Sequence, residues 1–102
     1  MEKLEKISTI LQKAGPMLAK FLGIDDAFLR LLVAEGVITS EESEIIKNIK
    51  VRSQKVDRLL EIIRGTDNAY DGFMSLLGDP DNNKKDIHKC MKQLEEEVGL
   101  SK

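Results

Sequence analysis

Apolar residues recur along this chain at spacings of three and four, with polar residues between them, the pattern of helices that bury one face. Leu4, Ile7, Leu11 and Ala14 mark the first stripe. Gly15-Pro16 interrupts it. Proline lacks a backbone donor and clashes with the preceding turn, so the first helix is expected to be kinked or broken there. Leu18, Phe21 and Leu22 resume the spacing, and Gly23 can end it.

A second helix is predicted from about Asp25 to Glu35, with Phe28, Leu29, Leu32 and Val33 facing inward and Gly36 as its stop. Two aspartates at its start suit the positive end of the helix dipole. Val37-Ile38 reads as a short apolar tether. Thr39 followed by Glu42 matches a capping box. The short third helix carries Ile45, Ile46 and Ile49. The fourth spans roughly Ser53 to Arg64, where Val56, Leu59, Leu60 and Ile63 give the cleanest stripe in the chain. Gly65 stops it, and Asp67 can cap a fifth helix built on Ala69, Tyr70, Phe73, Leu76 and Leu77. Asp79 to Asn83 is a turn by composition. A sixth helix follows on Ile87, Met91, Leu94 and Val98, closed by Gly99. No strand alternation of useful length occurs. The expectation is an all-α, six-helix antiparallel bundle with short connections, one domain over residues 1–102.

Composition narrows the function. The chain has 102 residues, 41% hydrophobic and 33% charged, which allows a packed core. A net charge of −2 argues against a general nucleic-acid binder. Three phenylalanines, one tyrosine and no tryptophan leave little for base stacking. A lone cysteine cannot form an internal disulfide or a Cys-based zinc site, so a reducing, cytoplasmic setting is the default. No apolar run reaches the length of a membrane span. The N-terminus alternates charged and apolar residues, unlike a signal peptide.

Candidate chemistry is sparse. His88 and Cys90 stand two apart on a predicted helix and point about 200° apart, so they cannot serve as a nucleophile–base pair there. His88 reads as a solvent-side residue and Cys90 as small packing at the core edge. Asp79, Asp81 and Asp86 hint at a metal loop, but the calcium-loop pattern with its glycine and terminal glutamate is absent, so neither a metal nor another cofactor is expected. No glycine-rich phosphate loop occurs. Glu95-Glu96-Glu97 reads as a solvated helix end, and Met17, Met74 and Met91 as core filler. Nothing in the inventory makes an enzyme.

Charge order is the distinctive feature. From Asp25 to Glu44 the acids are Asp25, Asp26, Glu35, Glu41, Glu42 and Glu44, against only Arg30. From Lys47 to Arg64 the bases are Lys47, Lys50, Arg52, Lys55, Arg58 and Arg64, against Asp57 and Glu61. Helix ends and solvation account for part of such an order. The functional reading is a two-faced module whose acidic patch meets a basic patch on another copy.

Three strings in order carry a resemblance. Leu32-Val33-Ala34-Glu35-Gly36-Val37-Ile38-Thr39-Ser40-Glu41-Glu42 resembles the helix-two to helix-three junction of caspase recruitment domains. Val51-Arg52-Ser53-Gln54-Lys55-Val56, with Leu59-Leu60-Glu61-Ile62-Ile63, is similar to that family's fourth helix. Arg64-Gly65, Ala69-Tyr70-Asp71-Gly72-Phe73 and Leu76-Leu77 resemble its fifth. Thr66 stands where the family often has proline, with one extra residue before Ala69, and Asp57 falls where some members carry arginine. The resemblance implies a death-fold bundle that binds other domains of its kind in apoptotic or innate immune signalling, as a homo-oligomer or filament. In the family, a basic surface of helices one and four often docks on an acidic surface of helices two and three. By position, the basic side would hold Lys13, Lys20, Arg52, Lys55 and Arg58, and the acidic side Asp25, Asp26, Glu35, Glu41 and Glu42. Two rival readings are a small helical DNA-binding domain, because helix-turn-helix units share short helices and glycine turns, and a monomeric decoy that caps assemblies.

Overall fold

The computed structural model describes residues 3–100. Six α-helices follow in order: α1 Lys3–Phe21, α2 Asp26–Ala34, α3 Ser40–Lys47, α4 Arg52–Ile63, α5 Asp67–Gly78 and α6 Lys85–Val98. A single 3₁₀ turn, Pro80–Asn82, joins the last two. There is no strand among the described residues. None of their helices is long and apolar enough to cross a membrane.

α1 is the spine and packs on α4, α5 and α6. Its face of Ile7, Ile10, Leu11, Ala14 and Leu18 is almost wholly removed from solvent. α2 and α3 pair and close the body against α5 and α4. Phe73, Leu77, Leu59, Ile63, Leu32 and Met91 complete one continuous core. The interruption expected at Gly15-Pro16 does not break the helix, which runs unbroken through Pro16. The cost is local, because Pro16 has no N–H to donate to the Gln12 carbonyl, while buried residues on both sides hold the helix in register.

Several sequence expectations shift by one residue or one face. Thr66, not Asp67, caps α5, its hydroxyl accepting from the Ala69 N–H at 3.1 Å. Leu4, Phe21 and Ile45, assigned to buried stripes, are exposed, at 41%, 60% and 48%. Ile49 lies beyond the end of α3 and is half-buried. Cys90 is exposed rather than packed at the core edge. The His88 ring is half-buried and lies over Gly78 of α5 rather than in open solvent. Met74 and Met91 are core residues, as expected of filler.

The largest revision falls on the triple glutamate at the end of α6. Glu95 is buried, whereas Glu96 and Glu97 are exposed. Its carboxylate accepts the Tyr70 hydroxyl proton at 2.6 Å and pairs with Lys92 at 3.1 Å. Burial, and then the bond to Glu95, push the Tyr70 hydroxyl far above the ordinary tyrosine range, so it stays a donor. The Glu95 carbonyl also accepts from the N–H groups of Gly99 and Leu100, closing the helix through a left-handed Gly99. One residue therefore joins α5, α6 and the helix terminus. Tyr70→Phe should lower stability by about 1–3 kcal/mol, because it removes the partner of a buried carboxylate without changing the helical fold. Urea denaturation beside an unchanged far-ultraviolet circular dichroism spectrum measures this.

Candidate interaction surfaces

The acidic flank is built around the ends of two helices. Asp25 is the N-cap of α2, with Oδ1 accepting from the Phe28 N–H at 2.8 Å. Thr39 and Glu42 form the expected capping box: the Thr39 hydroxyl accepts from the Glu42 N–H at 3.1 Å, and the Glu42 carboxylate accepts from the Thr39 N–H at 2.8 Å. These two acids are present first because unpaired amides at helix starts need acceptors. Asp26 faces Lys47 of α3 at 3.9 Å, in a groove shared with Arg30, Ser43 and Glu44. Two bases thus lie inside the acidic flank. Glu35 and Glu41 are exposed, and neither forms an ion pair among the described residues.

The corner carrying Glu35 is held tightly. Gly36 adopts φ +77°, a left-handed conformation that lets the chain leave α2 and enter the buried Val37-Ile38 segment. Gly72 of α5 lies directly beneath, where a Cβ would come within 2.9 Å of Val37 and 3.6 Å of the Glu35 carbonyl. The missing side chain at Gly72 is what lets α5 support the α2–α3 corner this closely.

The basic residues divide between two helices. On α4, Arg52 is exposed, Lys55 is half-buried, and Arg58 is half-buried with its guanidinium 3.7 Å from Glu61. The Arg58 Nε is shielded from solvent and has no hydrogen-bond partner. On α1, Lys13 and Lys20 stand seven residues apart and share one exposed face. The groove between α1 and α4 is lined by Leu11, Gln12, Gly15, Pro16, Asp57, Leu60, Glu61 and Arg64. None of the five expected bases lines it. At about 100° per residue, Lys13 and Lys20 are turned away from Gln12 towards the side of α1 carrying Met17. The charged residues that line the groove are instead Asp57, Glu61 and Arg64, and at the same 100° per residue Arg52 and Lys55 lie on the far side of α4 from Asp57. The spacing of the acids could have exposed this, since Asp57 and Glu61 repeat at i, i+4 on one face of α4.

No cluster of His, Cys, Asp or Glu able to hold a metal ion occurs among the described residues. Asp79, read from sequence as part of a metal-loop hint, caps the 3₁₀ turn through its bond from the Asp81 N–H at 3.0 Å. Sequence reasoning also missed a second surface, an apolar groove between the end of α1 and the start of α6. It is lined by Met17, Phe21, Asn83, Lys84, Asp86, Ile87 and Cys90. Its signal was available: Met17 and Phe21 are four apart, and so are Asp86 and Cys90.

Comparison with known proteins yields one match. The family model described as caspase recruitment domain covers residues 8–89. No curated protein and no solved structure matches the chain.

The acids of the α2–α3 flank should separate by role when truncated. Glu42→Ala removes half of a capping box and should cost about 0.5–2 kcal/mol. Glu41→Ala touches no cap and should stay within about 0.5 kcal/mol of the parent chain. Thermal melts of the two variants side by side measure the difference.

Proposed function

Because the chain belongs to the caspase recruitment domain family, a family of homotypic interaction modules, we propose that it recruits and oligomerises signalling proteins by charge-guided docking between copies of this fold. The basic partner surface comprises Lys13, Lys20, Arg52, Lys55 and Arg58. The acidic one comprises Asp25, Asp26, Glu35, Glu41 and Glu42. The observation that carries this reading is the supply of charges left over from folding. Arg52 and Lys55 on one side, and Glu35 and Glu41 on the other, make no ion pair among the described residues and are open to a partner.

The mechanism is assembly, and the domain breaks no bond itself. Opposite patches on one molecule make a head-to-tail contact, and such a contact that does not close on itself grows as an open helix. Each exposed ion pair contributes only about 0–1 kcal/mol, so a dimer held by a few of them is weak. A subunit inside an open assembly has several neighbours, and multivalency raises apparent affinity by about 10²–10⁴. Association then has a threshold and responds to a seed, which suits a scaffold that draws attached effector domains together in a cytoplasmic apoptotic or innate immune pathway.

Arg52→Glu or Glu41→Lys should abolish association while melting and helicity stay near those of the parent chain. Raising salt should weaken assembly, since exposed charges are screened within about 8 Å at physiological ionic strength. Light-scattering mass against protein and salt concentration reads both. Unimpaired assembly of either variant would sink charge-guided docking. A parent chain that stays monomeric, yet blocks growth of a partner's assembly, would favour the capping role.

A further inference from the structure

Among the described residues five large apolar side chains are exposed: Leu4, Phe21, Leu31, Ile45 and Val51. Phe21 projects at the edge of the α1–α6 groove, a depression of about 430 Å³ also lined by buried Ile87, half-buried Met17 and exposed Cys90. Its surroundings are basic. The Lys20 ammonium lies 5.5 Å from the Phe21 ring. Lys84 lines the groove, Lys13 stands one turn before Met17, and exposed Lys89 precedes Cys90. Asp86 is the one acid among the lining residues. An apolar groove with this rim selects an apolar side chain carried among carboxylates.

The same chain offers one. Ile45 of α3 has Glu41 four residues before it and Glu42 three residues before it, so both acids share its face of the helix. Glu44 adjoins it in the chain. The other exposed apolar side chains fit less well. Val51 sits between Lys50 and Arg52, Leu4 between Lys3 and Glu5, and Leu31 has Arg30 beside it and Glu35 four residues on, whereas Ile45 has two acids and no base among its i±3 and i±4 neighbours. Charge thus singles out Ile45.

We infer that the α1–α6 groove around Phe21 is a docking site for a second copy of this chain, which inserts Ile45 with Glu41 and Glu42 against the lysine rim. This rests on the proposed self-association and adds to it a contact with an apolar centre. That centre supplies affinity that exposed ion pairs alone do not. The contact joins different surfaces of the two copies, so it also propagates head to tail.

Cys90 provides the test, because it is the only cysteine in the sequence and lines the groove. An affinity-tagged parent chain, carrying Cys90, is mixed with untagged chain bearing Ile45→Cys and Cys90→Ser, under oxidised glutathione. The inference expects a disulfide-linked heterodimer on non-reducing gels. Phe21→Ser in the tagged chain should reduce its yield roughly tenfold, the effect of losing an aromatic anchor worth about 1.4 kcal/mol. Phe21 is exposed, so this variant should melt like the parent chain. Homodimers alone, or a heterodimer indifferent to Phe21→Ser, overturn the groove assignment. If light scattering under the same conditions still shows charge-dependent association, the parent proposal survives that result. A chain that is monomeric at every concentration overturns both.

Discussion

Burial of the inner face of α1 is the interaction on which the other helices depend. Ile7, Ile10, Leu11, Ala14 and Leu18 are removed from water together, and α4, α5 and α6 are the elements that cover them. At about 1.5–3 kcal/mol for each large aliphatic side chain, this strip outweighs any single polar contact in the molecule. It also explains the tolerance of Pro16. A missing backbone hydrogen bond is a small loss beside a stripe that stays continuous only if the helix does. The covered face sets what remains outside: Lys13 and Lys20 on one side of α1, and a shallow groove to α4 on another.

The acidic flank shows how folding and recognition share residues. Asp25 and Glu42 satisfy amides at helix starts, and Asp26 lies near Lys47. Part of the acidity seen in the sequence is therefore a requirement of two short helices with exposed N-termini. Glu35 has no such duty, and Glu41 makes no cap bond, adding only its charge to the first turn of α3. They sit on a corner that Gly36 turns and Gly72 supports, so their positions follow from backbone geometry rather than from charge. A surface charge on a rigid corner loses little entropy when it meets a partner.

Helix number, order and most inward faces were legible in the sequence because period 3.6 is imposed by burial, and glycines mark the ends. Where reading failed, the pattern was ambiguous in a definite way. Leu4, Phe21 and Ile45 fit helical spacing but sit at the margin of their stripes, and spacing does not say how wide a neighbour covers a face. Glu95 looked like one of three solvated acids. It stands four residues after Met91 and eight after Ile87, on the buried face, where the distant Tyr70 hydroxyl and Lys92 make a carboxylate tolerable. Charge counts separated an acidic segment from a basic one correctly in the chain. They did not reveal that Asp57 and Glu61 line the α1–α4 groove and that none of the five expected bases does, because counts carry no angular information.

The Lys6 ammonium donates to the Gly99 carbonyl at 2.9 Å, joining the start of α1 to the end of α6. The apolar groove lies at the opposite end of this helix pair, where the close of α1 meets the opening of α6. Fifteen residues of helix separate Lys6 from Phe21, roughly 22 Å at 1.5 Å per residue. A fluorophore, tether or fused protein attached beside Lys6 or Gly99 would therefore depart far from Phe21. Cargo at that corner leaves the groove unobstructed.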